Sequence, residues 1–192
     1  FHLAIDPADL LRLNIDPRAN IEVPGVLQQG GQTYDVEAEY RGASTQFSNK
    51  KSWKLVAAEP FAYTDQETLL LNGEGHDPAT IRDKLVYDLF ADAGIQALQA
   101  SFVDIDLNGR FIGVFTQVES PDAEFLSRTG RNPFGDVFRC RDGLDAEPNC
   151  DNEVVADRNM EDLYNFAAVV NRTPDAEFAA AIAEVLDVQE FL

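Results

Sequence analysis

The sequence predicts an α+β chain that begins strand-rich and ends helix-rich. Three observations carry that class. Tyr34, Val36, Ala38 and Tyr40, then Trp53 and Leu55, alternate with charged residues at the period of a half-buried strand. Asn108-Gly109, flanked by two apolar runs, is the dipeptide that best suits a tight type I′ turn. Ile81 to Phe90 and Leu163 to Leu186 space their apolar residues as helices do.

In chain order, Asp6 and Pro7 read as N-cap and first residue of a short helix with Leu10, Leu11 and Leu13 on its apolar side, ending near Asn14. The same pairing recurs at Asp77-Pro78 and Thr173-Pro174. Antiparallel strands fill the segment between Thr33 and Leu71. Asp77 then caps a helix over 78–93, with Ile81, Leu85, Val86, Leu89 and Phe90 on one face and Gly94 as its stop. Phe102–Leu107 and Phe111–Val118 make the hairpin around Asn108-Gly109. An irregular stretch runs from Pro121 to Asp157; helices follow, marked by Leu163, Phe166, Ala167 and Val170 and by Phe178, Ile182, Val185 and Leu186. The division expected is a strand-rich part over 1–120 and the start of a helical part over 121–192. Asp187 and Glu190 have the spacing of a capping box, so a new helix should begin at Val188. The expectation is a fold incomplete at its C-terminus, to be completed by a further polypeptide.

With 192 residues, 45% of them hydrophobic, the chain can bury a substantial core. Fifteen Lys and Arg against 34 Asp and Glu give a net charge of -19, which repels nucleic acid and anionic lipid. No run approaches the roughly 18 apolar residues of a membrane span. The opening Phe1-His2-Leu3-Ala4-Ile5-Asp6 lacks the regions of a signal peptide.

The two cysteines, Cys140 and Cys150, flank a polar, turn-rich loop that cannot hold itself by burial. A disulfide would restrain it and would imply an extracytoplasmic or secreted protein; two free thiols are the alternative. A zinc site would need further ligands, and His2 and His76 lie far off in sequence.

Chemistry is most suggestive between Tyr40 and Leu55, which hold four of the fifteen basic residues. A small-residue turn, Arg41-Gly42-Ala43-Ser44-Thr45, followed by lysines on a strand can bring backbone N–H groups and cations to a polyphosphate. A basic surface hairpin that balances nearby acids is the plainer reading. Asp104 to Gly109 matches the first half of a calcium loop, but its twelfth position is Phe115, so the hairpin is preferred; Asp142, Asp145 and Asp151 read as solvated acids. No metal ligand is assigned, and no Ser-His-Asp or Cys-His nucleophile is found.

These residues resemble the spore coat protein H (CotH) family, whose pattern sets an arginine-glycine-small-residue turn before a lysine-rich strand. Leu70-Leu71-Asn72 resembles its asparagine strand, and 77–90 with Gly94-Ile95 its helix bearing an arginine. Leu107 to Phe115 with Val118-Glu119 resembles the hairpin that leads to its glutamate. The likeness covers roughly residues 34 to 126 well. It implies an atypical protein-kinase-like fold that binds ATP with Mg or Mn and phosphorylates protein serines. By resemblance the nucleotide-binding residues are Arg41, Gly42, Ser44, Lys51, Lys54, Arg82, Gln117 and Glu119. Strand Lys50 to Val56 would carry the phosphate-binding lysine, with Lys51 the first choice, Lys54 the second, and Lys50 and Lys54 on the face opposite Lys51. Arg82 would point inward to phosphate or pair with Asp83 or Asp88, and Gln117 to Glu119 would lie at the hinge beside adenine. The catalytic aspartate segment matches nothing here, so this chain alone should be inactive. A non-catalytic extracellular interaction domain on the same fold is the rival.

Overall fold

A computed structural model describes residues 1–192 except 43, 76, 78, 141–142, 145–148, 155–159 and 188–192. The backbone divides into one unit of residues 1–120 and 127–130 and a second of 121–126 and 131–192. Both strands and helices are present throughout, in the α+β class.

The first unit contains β1 (His2–Ile5), α1 (Pro7–Ile15), β2 (Val23–Gln29), β3 (Gln32–Arg41), β4 (Ser52–Phe61), β5 (Gln66–Asn72), α2 (Arg82–Asp92), β6 (Ala100–Leu107) and β7 (Arg110–Val118). Its strands form a closed barrel in the order β1-β2-β3-β4-β5-β7-β6. The ring closes where β1 meets β6 in parallel, His2 opposite Asp106 and Leu3 opposite Leu107.

Strand alternation builds the interior. Val36, Ala38 and Tyr40 of β3 face inward with Trp53, Leu55 and Ala57 of β4, joined by Leu69, Leu71, Ile105 and Phe115. Tyr40 and Trp53 are opposite in register, their rings edge-to-face with centroids 4.5 Å apart. In α1, the Asp6 carboxylate accepts the Ala8 N–H as the cap requires, Leu13 joins the barrel core, and Asn14 accepts a hydrogen bond of 3.2 Å from the Tyr40 hydroxyl.

The hairpin forms as the sequence indicates, with φ of 51° at Asn108 and 79° at Gly109, the left-handed pair a type I′ turn needs. Asn108 also reaches back to β1. Its Oδ1 accepts the Ile5 N–H and its Nδ2 donates to the Ile5 carbonyl, each at 2.9 Å and across 103 positions of sequence.

The helix expected over 78–93 begins only at Arg82. The N-cap is Ile81, without a side-chain cap bond, rather than Asp77; Asp77 instead ties the preceding loop to the helix start, accepting the N–H groups of Ala79, Ile81 and Arg82, and Thr80 takes a left-handed φ of 55°, through which no α-helix continues. Anchoring the first turn this way sets the helix's rotation. Asp83, Lys84 and Tyr87 become half-buried, whereas the expected inner face of Ile81, Leu85, Val86, Leu89 and Phe90 stays exposed. Pro78 lies outside the described residues.

The division between the units falls inside α3 (Ala123–Arg128). The second unit continues with β8 (Phe138–Cys140), β9 (Cys150–Asn152), α4 (Glu161–Arg172) and α5 (Asp175–Val185). The stretch read as irregular therefore holds a short helix and a two-stranded ladder. Cys140 and Cys150 are opposite in that ladder and joined by a disulfide. Leu163 and Ala167 are the buried residues of α4, while Thr173 ends it and Pro174 caps α5 one residue later than expected. The helix expected from Val188 lies outside the described residues. Among the described residues, no helix is long and apolar enough to cross a membrane.

Candidate functional site

A cleft of about 360 Å³ opens in the first unit where β3, β5 and the start of α2 meet. Arg41 ends β3, and the chain then turns sharply at Gly42, whose φ is 100° and where a Cβ would lie 2.1 Å from Thr45 Oγ1. Only glycine fits there. Asn72 ends β5 and is followed by Gly73-Glu74-Gly75, pressed against residues 48–51. A Cβ on Gly73 would stand 2.6 Å from the Lys50 carbonyl, and one on Gly75 2.1 Å from Ser48 Oγ. Glu74 between them holds a left-handed φ of 52°, an uncommon conformation for a side-chain-bearing residue.

A chain of polar contacts crosses the cleft. The Arg41 guanidinium donates to Asn72 Oδ1, and Asn72 Nδ2 donates to Asp83 Oδ2 at 2.8 Å. Asp83 lies against Glu74, which also adjoins Thr116. Arg82 pairs with Asp77 at 3.2 Å. Burial foremost, then contact with Asp83 and the more distant field of Asp77, pushes the Glu74 carboxyl up to about 7. Burial also works to raise Asp77, but the backbone N–H groups of Arg82, Ala79 and Ile81 outweigh it and hold that carboxyl below its ordinary range. The Tyr87 hydroxyl is pushed up by burial and by Asp83. Lys50 is pushed down by burial, against the pull of Glu74. Glu74 Oε1 and Thr116 Oγ1 are buried and complete no hydrogen bond. Two guanidinium groups beside a glycine turn suit an anion, and the acid pair can hold a proton.

Of the residues named from sequence, Arg41, Gly42 and Arg82 share this cleft. Ser44 opens the 3-10 turn Ser44–Phe47 that follows, its side chain outside the described set. The lysines are placed differently from expectation, because β4 begins at Ser52 and leaves Lys50 and Lys51 ahead of the strand ladder. The Lys51 ammonium donates to the Ser48 carbonyl at 3.1 Å and stands 5.5 Å from the Tyr40 ring centre. Lys50 reaches the Val114 carbonyl and stands 4.5 Å from the Phe115 ring centre. Lys54 is in the ladder but points away from the core, paired with Glu39 at 2.9 Å. Arg82 is 71% exposed rather than inward, and its partner is Asp77 rather than Asp83 or Asp88.

Gln117 and Glu119 line a different cleft, of about 600 Å³, with Tyr63, Gln66 and Arg128. The Tyr63 hydroxyl donates to Gln117 Oε1 at 3.0 Å. Glu119 accepts from Arg128 Nε at 2.7 Å and from the Gln99 N–H at 2.9 Å. Both predicted hinge residues are thus engaged with their own unit. The residues that sequence reasoning did not name as a site are Glu74, Asp77, Asp83 and the bridging Asn72. The signal that could have found them is Gly-Glu-Gly directly after a strand, since two glycines around one acid mark a close backbone approach. Among the described residues, no group of three or more His, Cys, Asp or Glu is arranged to hold a metal ion.

Comparison with known proteins places this geometry in a family. Over 207 aligned residues the chain is 26% identical to the inner spore coat protein H of Bacillus subtilis (strain 168), an alignment that covers 100% of this chain and 57% of that protein. It is 25% identical over 126 residues to the inner spore coat protein H-like protein of the same organism, covering 66% of this chain and 37% of the relative. The chain thus spans little more than half the length of the first relative and less of the second. The family pattern described as CotH kinase protein matches residues 38–192, from the inward face of β3 through the cleft and across the second unit. With four-fifths of its length inside that pattern, the chain belongs to the CotH kinase protein family.

Proposed function

We propose that this chain is the nucleotide-side part of an atypical, kinase-like enzyme that uses ATP to phosphorylate protein serines. The observation that carries the reading is the convergence of Arg41, Arg82 and the Gly42 turn on one cleft in a chain of net charge -19. In so acidic a molecule, two guanidinium groups beside exposed turn backbone are where a polyphosphate would be held.

Protein kinases cover the phosphates with a glycine-rich loop and couple a strand lysine to a glutamate on the adjacent helix. Here the strand that runs into α2 ends at Asn72, which donates to Asp83 of α2, and Arg41 brings the cation through Asn72. Arg41 and Arg82 are the proposed phosphate contacts. Lys51 is a third cation beside the turn, available once its contact with the Ser48 carbonyl is given up. Gln117 and Glu119 remain candidates for the base side only through rearrangement of their present bonds.

Transfer also needs a divalent ion, Mg or Mn, and an aspartate base. The described residues offer no three-ligand set for such an ion, so this chain's own part is to position phosphate. A longer parent protein that supplies the aspartate and ligands belongs to the proposal. The names of the two relatives associate them with the spore coat. Together with the disulfide, that supports a surface-associated, extracytoplasmic location.

Calorimetric titration of ATP into the chain and into Arg41→Ala and Arg82→Ala tests the reading. Each variant should lose about tenfold or more in affinity, as expected for a lost charge-assisted bond of about 1.5–3 kcal/mol. Unchanged affinity in both would remove the phosphate site. The interaction-domain reading draws on one observation, the exposed apolar face of α2. Absence of ATP binding combined with saturable binding of a protein partner to that face would select it.

A further inference from the structure

Ionised carboxylates only accept hydrogen bonds, so two of them in contact are bonded only when one carries a proton. Glu74 lies against Asp83 and Thr116, yet its Oε1 and the fully buried Thr116 hydroxyl find no partner. Asp83 is already committed on its other side, accepting from Asn72, which in turn holds Arg41. A cleft whose charged groups were all ionised would set two carboxylates side by side with the Thr116 hydroxyl as the one neutral donor beside Glu74 among the described residues, an arrangement that costs free energy until a proton or cation joins it.

We propose that Glu74 and Asp83 share one proton, and that this proton sets how tightly the Arg41–Arg82 cleft holds an anion. The inference rests on the anion-site reading above and adds its regulation. The groups that face Glu74 are Asp83 and Tyr87 from α2, Asp77 from the loop before it, Thr116 from β7, and Lys50 from the segment before β4. Protonated, Glu74 leaves Arg41, Arg82 and Lys50 facing Asp77 and Asp83, a balance of one positive charge. Ionised, it cancels that excess and sets a third carboxylate beside the anion. The displacement of Glu74 toward neutrality puts the switch within the ordinary working range of pH. By linkage, an anion in the cleft favours uptake of the same proton.

Sulfate is the suitable probe, because its own charge stays constant where phosphate's changes. Sulfate affinity of the 192-residue chain, measured by calorimetry from pH 5.5 to 8.5, should fall about tenfold as pH rises, the effect of one unit of charge a few ångströms away. Glu74→Gln, a neutral mimic of the protonated form, should bind at the acid-limb affinity throughout. The Glu74 carboxyl ¹³C resonance should titrate near neutrality in the unaltered chain and at lower pH in Asp83→Asn, where an amide donor replaces the shared proton while burial still holds the group above the ordinary acid range. Sulfate binding that Arg41→Ala abolishes but pH leaves unchanged would overturn the proton switch and leave the anion site standing. No sulfate binding at any pH would overturn both. A Glu74 resonance that titrates in the ordinary acid range in the unaltered chain would also overturn the shared proton.

Discussion

The two clefts of the first unit handle buried charge in opposite ways. Around Glu119 the carboxylate, 7% exposed, is matched by Arg128, and the remaining oxygen capacity is filled by the Gln99 N–H. Around Glu74 the matching is incomplete: Arg41 is spent on Asn72, Asn72 on Asp83, and one Glu74 oxygen is left over. A saturated ion pair is part of the scaffold, because nothing further can be gained by bringing a ligand to it. An unsaturated one stores a cost that a proton or ligand can relieve. Glutamates read from sequence cannot be sorted this way; their partners must be seen.

The largest effect should come from breaking the saturated pair. Glu119→Ala takes the carboxylate from the Arg128 guanidinium, which keeps the Ala97 carbonyl, and strands the Gln99 N–H, and urea unfolding should show a loss of about 2–4 kcal/mol, with the lower part favoured because Arg128 is 35% exposed. Sulfate affinity should be untouched. A Glu119→Ala variant as stable as the parent would erase the contrast between the clefts.

Gly73→Ala should come next. Its Cβ meets the Lys50 carbonyl at 2.6 Å, a backbone atom that cannot swing aside, so about 1–3 kcal/mol of stability should be lost together with anion binding. Arg41→Ala should cost less than either, about 0.5–1.5 kcal/mol in urea, because Asn72 loses one bond but keeps Asp83. Its main consequence belongs to ligand affinity. If Arg41→Ala destabilised more than Glu119→Ala, the roles assigned to the two clefts would have to be exchanged.

The smallest effect is a slope. Glu74 is raised in the folded chain above its unfolded value, so the stability it contributes is full below the ordinary carboxyl range and is lost as pH climbs through about 7. The urea midpoint should drift down between pH 5 and 8, and Glu74→Gln should flatten that part of the profile. A midpoint that rises over the window in the parent and flattens in Glu74→Gln would mean the carboxyl is stabilised as its anion.

What the sequence made legible was local. Asp6-Pro7 starts a helix and Asn108-Gly109 turns a hairpin because the residues that decide those structures are neighbours. The alternation of β3 and β4 was visible for the same reason. β1, four residues long, offers too little alternation to read, and β2 carries Pro24-Gly25 near its start. Their place in a barrel is fixed by pairing partners far away in sequence. At α2 the apolar spacing was real, yet the rotation of the helix is set by Asp77 and the left-handed Thr80, so Asp83 and Tyr87 turn inward instead. The candidate site was half legible: glycine and arginine advertised the turn. Glu74, a lone acid in a loop, gains its meaning only from Asp83 and Thr116, nine and 42 residues later.

The Asn108 clasp on Ile5 bears on how such a barrel comes into being during synthesis. The first strand leaves the ribosome more than a hundred residues before the turn that grips it and the strand it lies beside. Until then, of the two strands β1 pairs with in the barrel only β2 is present, and the ring cannot close. Ring closure is thus a late, long-range event, made by the β1–β6 pairing and fastened by an asparagine that serves first as a turn and then as a buckle.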